Sequence, residues 1–388
     1  MLWVWIIYAL FVVSILLCEA AIGLQFKNTF KRVALPARPS LVSIVVPARN
    51  EERNIERCAN GLMRQDYPLI EYIFVDDDSD DATPNMLAKY AARDSRVKVI
   101  HTGGKPEDWN GKQWACHSGA KAAVGSWVCF MDADTYAEPH LISQTVAFAT
   151  ANRIDMLTLQ PWYEMRGLWE RIVLPAGLTP LLLVFPPYRV NNPHDRISLA
   201  NGQFILMQRG VYDAIGGHAS IRDRMMDDYS LAENVKRAGY RLFVADGADV
   251  MRVRLYANLK EIWAGALKAA VEISGGWLAS SVILITNVML DIAPVAFLIW
   301  ALFSEQWLVA SVLGAMVVFQ TAYYGVVRMA GYRLPPWSSI TYPIGSIIVT
   351  AIILDGMFRL IYRRDIQWKG RSLLGCPEPP INKVGTGN

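Results

Sequence analysis

Four apolar stretches, one at the amino end and three toward the carboxyl end, restrict this chain more than any other feature. Residues 2–18 are almost wholly apolar, and the run continues past Glu19 to Leu24. That reaches the ~17–25 residues a helix needs to cross a bilayer. Lipid offers the backbone no hydrogen bonds, so such a run must fold as a helix. No basic residue precedes it, and it exceeds the ~7–15 apolar residues of a cleaved leader, so it reads as a retained anchor. Lys27, Lys31, Arg32 and Arg38 follow directly. By the positive-inside rule the anchor's carboxyl end is cytoplasmic and the amino terminus outside.

Further apolar runs occupy about 279–303, 306–326 and 340–361, each near spanning length. Arg328 and Arg333 suit a cytoplasmic loop between the last two. Arg359, Arg363, Arg364, Lys369 and Arg371 carry the same signature, yet three full crossings would leave them outside. Asp291 and Pro294 make the first of the three the expected exception, re-entrant or interfacial. The chain then divides into an anchor at 1–25, a middle domain at 41–270, membrane segments at 276–364 and a tail at 365–388, whose Gly-rich end is expected to lack order. The expected setting is the cell membrane, multi-pass, with the middle domain cytoplasmic.

Composition narrows the classes. The hydrophobic share of 53% exceeds the ~45–50% of soluble domains, and the excess lies at the two ends. A net charge of +3 gives no reason to expect nucleic acid. Cys18, Cys58, Cys116, Cys129 and Cys376 form no paired spacing, against a disulfide framework or a zinc site. The five histidines show no ligand spacing and receive no role.

In the middle, short apolar runs alternate with amphipathic ones. Strands are expected at Leu41 to Val46, Ile70 to Val75, Val97 to Ile100 and Trp127 to Met131, with helices between them. This order predicts a parallel, Rossmann-like sheet. The last strand ends in Asp132-Ala133-Asp134, at the edge where open α/β sheets bind ligands. Two hard oxygen donors there suit Mg²⁺ or Mn²⁺ shared with a diphosphate; an acidic turn is the alternative. The second strand ends in Asp76-Asp77-Asp78-Ser79-Asp80-Asp81-Ala82-Thr83. Asp76 and Asp77 are placed to accept from a base N–H or a ribose hydroxyl, and Asp81 and Thr83 to cap the next helix. Lys112, after Gly111, is either a phosphate partner at a helix start or an ordinary solvated lysine.

Residues Val42 to Glu51, followed by Val75-Asp76-Asp77-Asp78-Ser79 and by Asp81 and Thr83, resemble the start of a family 2 glycosyltransferase. The resemblance implies the GT-A fold, an α/β Rossmann-like nucleotide-sugar domain with a metal site of the Asp-x-Asp type. It implies that Pro47, Ala48, Arg49, Glu51 and Asp76 or Asp77 line the nucleotide pocket; Lys112 fits the pattern on the phosphate side, and Asp132 helps through the ribose or the metal. Asp134, with Asp132, would hold the metal. Asp78 departs from the family's usual Gly or Asn.

Further along, Asn201-Gly202-Gln203, Gly216-Gly217 and Asp227-Asp228 form a second constellation. By itself the Asp pair reads as a helix cap. Within the resemblance, Asp228 matches the general base of an inverting transfer and Asp227 its support, while Gly202 and Gln203 shape the acceptor side. At 259–265 the chain lacks the Gln-x-x-Arg-Trp of processive members, which favours transfer of one sugar. Trp162 to Pro187, interrupted by prolines, is either an amphipathic segment on the membrane face or a core helix.

The anchor, the domain, Ile221-Arg222-Asp223, Asp228 to Lys236 and Trp368-Lys369-Gly370-Arg371 together are similar to the hopanoid- and carotenoid-associated bacterial glycosyltransferases. That implies transfer from a nucleotide sugar, a UDP-sugar by expectation, to an isoprenoid-type lipid hydroxyl. A ceramide or polyprenyl-phosphate acceptor is the nearest alternative. An inactive lipid-binding scaffold or a transporter is the alternative of another class.

Overall fold

Alternation along Val42–Ala48 buries Val42, Ile44 and Val46 on one face and Val45 on the other, as a strand covered on both sides requires. The computed structural model describes residues 2–27, 30–31, 33–224, 226–273, 277–362, 367–368 and 371–372. Arg32, Arg363, Arg364, Lys369 and most of the expected tail lie outside them.

From the amino end, α1 (Leu2–Lys27) precedes β1 (Val42–Ala48), α2 (Ile55–Met63), β2 (Ile70–Asp76), α3 (Thr83–Ala91), β3 (Val97–His101), α4 (Gly111–Ala122) and β4 (Trp127–Phe130). Next come β5 (Thr135–Ala137), α5 (Leu141–Ala151), β6 (Met156–Gln160), β7 (Trp162–Tyr163), α6 (Leu168–Val184) and α7 (Pro187–Val190). The domain closes with β8 (Ile205–Gln208), α8 (Arg209–Ala214), α9 (Asp227–Arg237), β9 (Leu242–Asp246) and β10 (Met251–Val253). The remaining helices are α10 (Leu259–Ile273), α11 (Trp277–Asn287), α12 (Ala293–Phe303), α13 (Trp307–Tyr323) and α14 (Tyr342–Ile361).

Seven strands form one sheet in the order β3-β2-β1-β4-β8-β6-β9. Helices α2, α3 and α5 cover one face, and α4 and α9 the other. The first four strands are parallel, but β8 runs antiparallel between β4 and β6. The parallel arrangement expected for the four strands read from the sequence is found, and β8, a strand not read there, makes the whole sheet mixed. The chain reaches β8 after the α6–α7 excursion and enters the sheet from the opposite end, where no helical crossover is required. The consequence is local: Phe130 pairs with Ile205, so the loop before β8 lies beside Asp132-Ala133-Asp134.

Four helical stretches are long and apolar enough to cross a membrane: Leu2–Lys27, Ile283–Phe303, Trp307–Met329 and Pro336–Arg359. Polar groups cross-link them. Arg328 donates to both carboxylate oxygens of Glu19, at 2.7 and 2.6 Å. Asp291 accepts from Tyr324 and, at 3.0 Å, from Ser346. Asp291, read from sequence as a reason to doubt a crossing, is thus provided with partners from two other helical segments. Glu19→Ala leaves Arg328 buried without that carboxylate, which should cost about 3–5 kcal/mol. We expect a lowered thermal midpoint for the detergent-solubilised protein, largely restored by adding Arg328→Met.

Candidate active site

Three strand ends converge on one rim. Ala48 is in register with Asp76, and Val45 with Phe130, so residues 47–51, 76–77 and 131–135 meet at the carboxyl edge of the sheet. Asn50 and Asp78 both adopt left-handed backbone, each with φ of 52°, which glycine and short polar residues tolerate best. Asp78 therefore meets the same backbone demand as the Gly or Asn of the resembled pattern.

The later residues of the acidic stretch tie their loop to the one after β1. Asn50 N–H donates to Ser79 Oγ at 3.0 Å, Glu52 N–H to Asp81 Oδ2 at 3.0 Å, and Glu51 N–H to Thr83 Oγ1 at 2.9 Å. Asp81 Oδ1 accepts Thr83 N–H at 2.9 Å, while α3 has Ala82 as its cap residue with no side-chain bond. The capping role expected of Thr83 is corrected: its hydroxyl ties the loop after β2 to the loop after β1. Glu51 itself accepts from Asn54 Nδ2 at 2.8 Å.

Asp76 and Asp77 are buried at the end of β2. Asp76 Oδ2 lies 3.2 Å from His101 Nδ1, whereas its Oδ1 is buried with no hydrogen-bond partner among the described residues. A buried acceptor of that kind is normally matched by a donor. Asp77 N–H donates to Ala48 O at 2.9 Å, and the Arg49 guanidinium lies 3.9 Å from Asp77 Oδ2.

The central arrangement is a lysine among carboxylates. Lys112 Nζ lies 2.9 Å from Asp132 Oδ1 and 3.2 Å from Asp227 Oδ2. It thereby bridges the end of β4 to the start of α9. Burial would depress the lysine, but Asp132, Asp227 and Asp228 hold it well above its ordinary value. Burial would likewise raise Asp227, but Lys112, His218 and Lys268 pull it below the usual carboxylate range.

Asp228 behaves oppositely. Its Oδ2 accepts Gly202 N–H at 3.0 Å and its Oδ1 accepts Tyr229 N–H at 2.7 Å. Burial and the neighbouring Asp227 charge raise it to about 6 against the pull of Lys112. Two adjacent acids with values pushed apart are the pattern of an acid–base site. A Cβ at Gly202 would stand 3.1 Å from Lys112 Nζ and 3.4 Å from Asp228 Oδ2, so a side chain here would press on the lysine. Helix α9 carries Met226 at its cap position with no side-chain cap bond. A helix start accounts for the Asp228 bond to Tyr229 N–H but not for the contacts with Gly202 and Lys112.

Asp132 and Asp134 offer carboxylate oxygens alone, a donor set that fits Mg²⁺ or Mn²⁺. Burial raises Cys58 on α2, and the charges of Asp134, Glu51 and Asp132 add to that rise.

Several neighbours escaped the sequence reading. His218 is buried, with Nδ1 2.9 Å from the Tyr212 hydroxyl, and burial lowers it to about 3. Its ring, Cys116 Sγ and an Asp227 oxygen lie within 4.8 Å of one another, forming a close-packed wall behind the Asp pair. Asn201 Nδ2 donates to Gln160 Oε1 at 3.2 Å and to the Tyr163 hydroxyl at 3.3 Å. Burial raises Tyr163, and Asp134 contributes to the shift. Gln160 and Tyr163 carried no signal beyond an ordinary strand end. Gly217 before His218 was visible, but the ring's partner lies six residues upstream at Tyr212.

Residues 43–216 match the glycosyl transferase family 2 model. A 4,4'-diaponeurosporenoate glycosyltransferase from Staphylococcus haemolyticus is 25% identical, over 55% of this chain and 56% of its own length. The alignment thus spans about half of that relative. Its namesake from Staphylococcus aureus is 22% identical over 96% of this chain and 98% of its own. Among solved structures, a mannosyltransferase from Pyrobaculum calidifontis in complex with GDP-Man and Mn²⁺ is similar at a TM-score of 0.54 and 16% identity, over 92% of this chain and 99% of that one. That is a likeness of fold.

Proposed function

We propose that this chain, a family 2 glycosyltransferase of the GT-A fold, moves one sugar from a nucleotide diphosphate donor to a membrane lipid hydroxyl with inversion. The observation that carries this reading is Asp228, held by Gly202 and Tyr229 N–H groups and raised to about 6, beside a lysine that reaches the diphosphate side at Asp132. A base of that pKa is largely ionised at neutral pH and still basic enough to take a hydroxyl proton in the transition state.

In the proposed step Asp228 removes the acceptor O–H proton as that oxygen attacks the anomeric carbon. The carbon–oxygen bond to the diphosphate breaks on the opposite face, and the electron pair leaves with the nucleoside diphosphate. Lys112 remains protonated and holds Asp227 ionised, so that Asp228, not Asp227, is the member of the pair that takes the proton. Asp76, Asp77 and the 47–51 loop bind the nucleoside. Asp134 and Asp132 would hold Mg²⁺ or Mn²⁺, which when bound neutralises diphosphate charge.

Four apolar helices and the names of the relatives support a lipid acceptor of isoprenoid type. The basic residues after α1 support a cytoplasmic catalytic domain in the cell membrane. The test is purified full-length protein incubated with UDP-hexoses, GDP-mannose and bacterial lipid extract, analysed by mass spectrometry. We expect one donor to yield a lipid heavier by a single hexose. Donor hydrolysis with no glycolipid from any extract would sink the lipid-acceptor reading.

A further inference from the structure

Helix α14 has the length and hydropathy of a span, yet it touches elements next to the catalytic domain near both of its ends. Twenty residues make a helix of about 30 Å, the thickness of the hydrocarbon core. If α14 crossed, only one of its ends could touch elements fixed to the catalytic domain. Both ends do. At its start, Gly345 packs directly on the Ile172 carbonyl of α6, and the Tyr342 hydroxyl lies 3.4 Å from the Pro175 carbonyl. The connector before it reaches the domain itself: Arg333 Nη2 donates to Asp249 Oδ1 at 2.6 Å, and its guanidinium sits 4.8 Å from the Trp162 ring. Toward the other end, Trp263 Nε1 donates to Asp355 Oδ2 at 2.9 Å, and Ile352 packs on Leu267. Trp263 belongs to α10, which begins six residues after the last strand of the domain.

Helix α6 is itself fastened at both ends to the domain. Glu170 in its first turn receives Arg254 Nε at 3.0 Å just after β10, and Phe185 at its end stacks edge-on against Tyr229 of α9 at 6.4 Å. Pro175 and Pro180 lie within this continuous 17-residue helix. The outward side of α14 shows Ile344, Ile347, Leu354 and Phe358, spaced as one helical face. Asp355 and Arg359 pair at 2.9 Å near its carboxyl end.

We propose that α14, with α6 and α10, forms a layer lying in the plane of the membrane surface on the catalytic side, and that three helical stretches, not four, cross the bilayer. The occupant of the exposed apolar face is the lipid leaflet, as for an amphipathic helix that rests its apolar side in the headgroup boundary. Continuity with the spans supports that choice. α1 and the two stretches Ile283–Phe303 and Trp307–Met329 pack together, through Trp5 on Phe297 at 5.0 Å at one end and Glu19 on Arg328 at the other. Charge supports it as well: with α14 flat, Arg328, Arg333, Arg359 and Arg371 all fall on one side, as positive-inside requires. The segment that does not cross is then the last, rather than the Asp291 segment suspected from sequence. The layer would also border the acceptor in the function proposed above, since Tyr163 packs in the same apolar cluster as Ile172 and Tyr342.

The test reads topology alone and is independent of transfer activity. In full-length protein carrying Cys18→Ser and Cys376→Ser, single cysteines are introduced as Tyr362→Cys after α14, Ser304→Cys between α12 and α13, and Lys89→Cys on α3. Spheroplasts of an expressing host are treated with a membrane-impermeant maleimide before and after permeabilisation. Tyr362→Cys should label together with Lys89→Cys, and Ser304→Cys from the opposite side. Labelling of Tyr362→Cys together with Ser304→Cys overturns the proposal. Carboxyl-terminal fusions to a phosphatase active only outside the cytoplasm, and to a fluorescent protein that folds only inside, decide the same point without modifying α14.

Discussion

Asp228→Asn should lower the transfer rate by about 10²–10⁴-fold, the usual contribution of a positioned general base. The amide keeps an oxygen for the Gly202 or Tyr229 N–H but cannot take a proton. The parent's pH profile should carry the same signature. Asp228 is raised to about 6, and its working form is the carboxylate, so the rate should fall about tenfold per pH unit below that value and level off above it. The acidic limb should vanish from the residual rate of Asp228→Asn. Stability moves the other way. A carboxyl whose pKa is raised on folding binds its proton more tightly in the native state, so its contribution to stability declines as pH rises from the ordinary carboxylate range through about 6. The Asn variant escapes that penalty, and its thermal midpoint at pH 8 should not drop below the parent's. Full transfer by purified Asp228→Asn would remove the residue from the role of base.

Asp134→Ala should be as damaging, by loss of a hard oxygen donor for a divalent ion at the diphosphate. Electrostatic stabilisation of a leaving group is commonly the largest single part of such catalysis, and one lost donor costs about 10²–10³-fold. The parent should lose activity in a chelator and recover it with Mn²⁺ or Mg²⁺. Asp134→Ala should fail to recover at any concentration of either ion, while still folding and inserting. Isothermal titration of nucleoside diphosphate with and without Mn²⁺ separates binding from chemistry. The parent should bind more tightly with the ion, and the variant should show no such difference. Ion-dependent binding preserved in Asp134→Ala would shift the metal site elsewhere.

The sequence disclosed carboxylates at strand ends because those signals are short-range. An apolar run such as Trp127 to Met131, stopped by Asp132 and Asp134, needs only a period of two and a turn to be read. The same holds for Asp76 and Asp77 after Ile70 to Val75, and for the apolar runs that suit a membrane. Asp227 and Asp228 were harder, since a helix start explains an Asp pair equally well. Their contacts with Lys112 and Gly202, far away in sequence, are what a helix start alone does not explain. Tyr163, Gln160 and His218 left no trace, because a buried polar residue looks like any other until its partner is known.

What the chain determined by itself was the inventory: an α/β domain between apolar segments, with its acids at the edge of the sheet. Tertiary structure decided how that inventory is joined. The antiparallel entry of β8 brings Gly202 against Asp228, and Lys112 couples the Asp-x-Asp turn to α9. Equally, Gly345 against α6 and Asp355 against α10 fix α14 to the domain at both ends. Hydrophobic period and strand-end chemistry are properties of neighbouring residues. The register of a long excursion, the charge felt by a buried acid and the tilt of an apolar helix depend on which distant groups packing brings into contact.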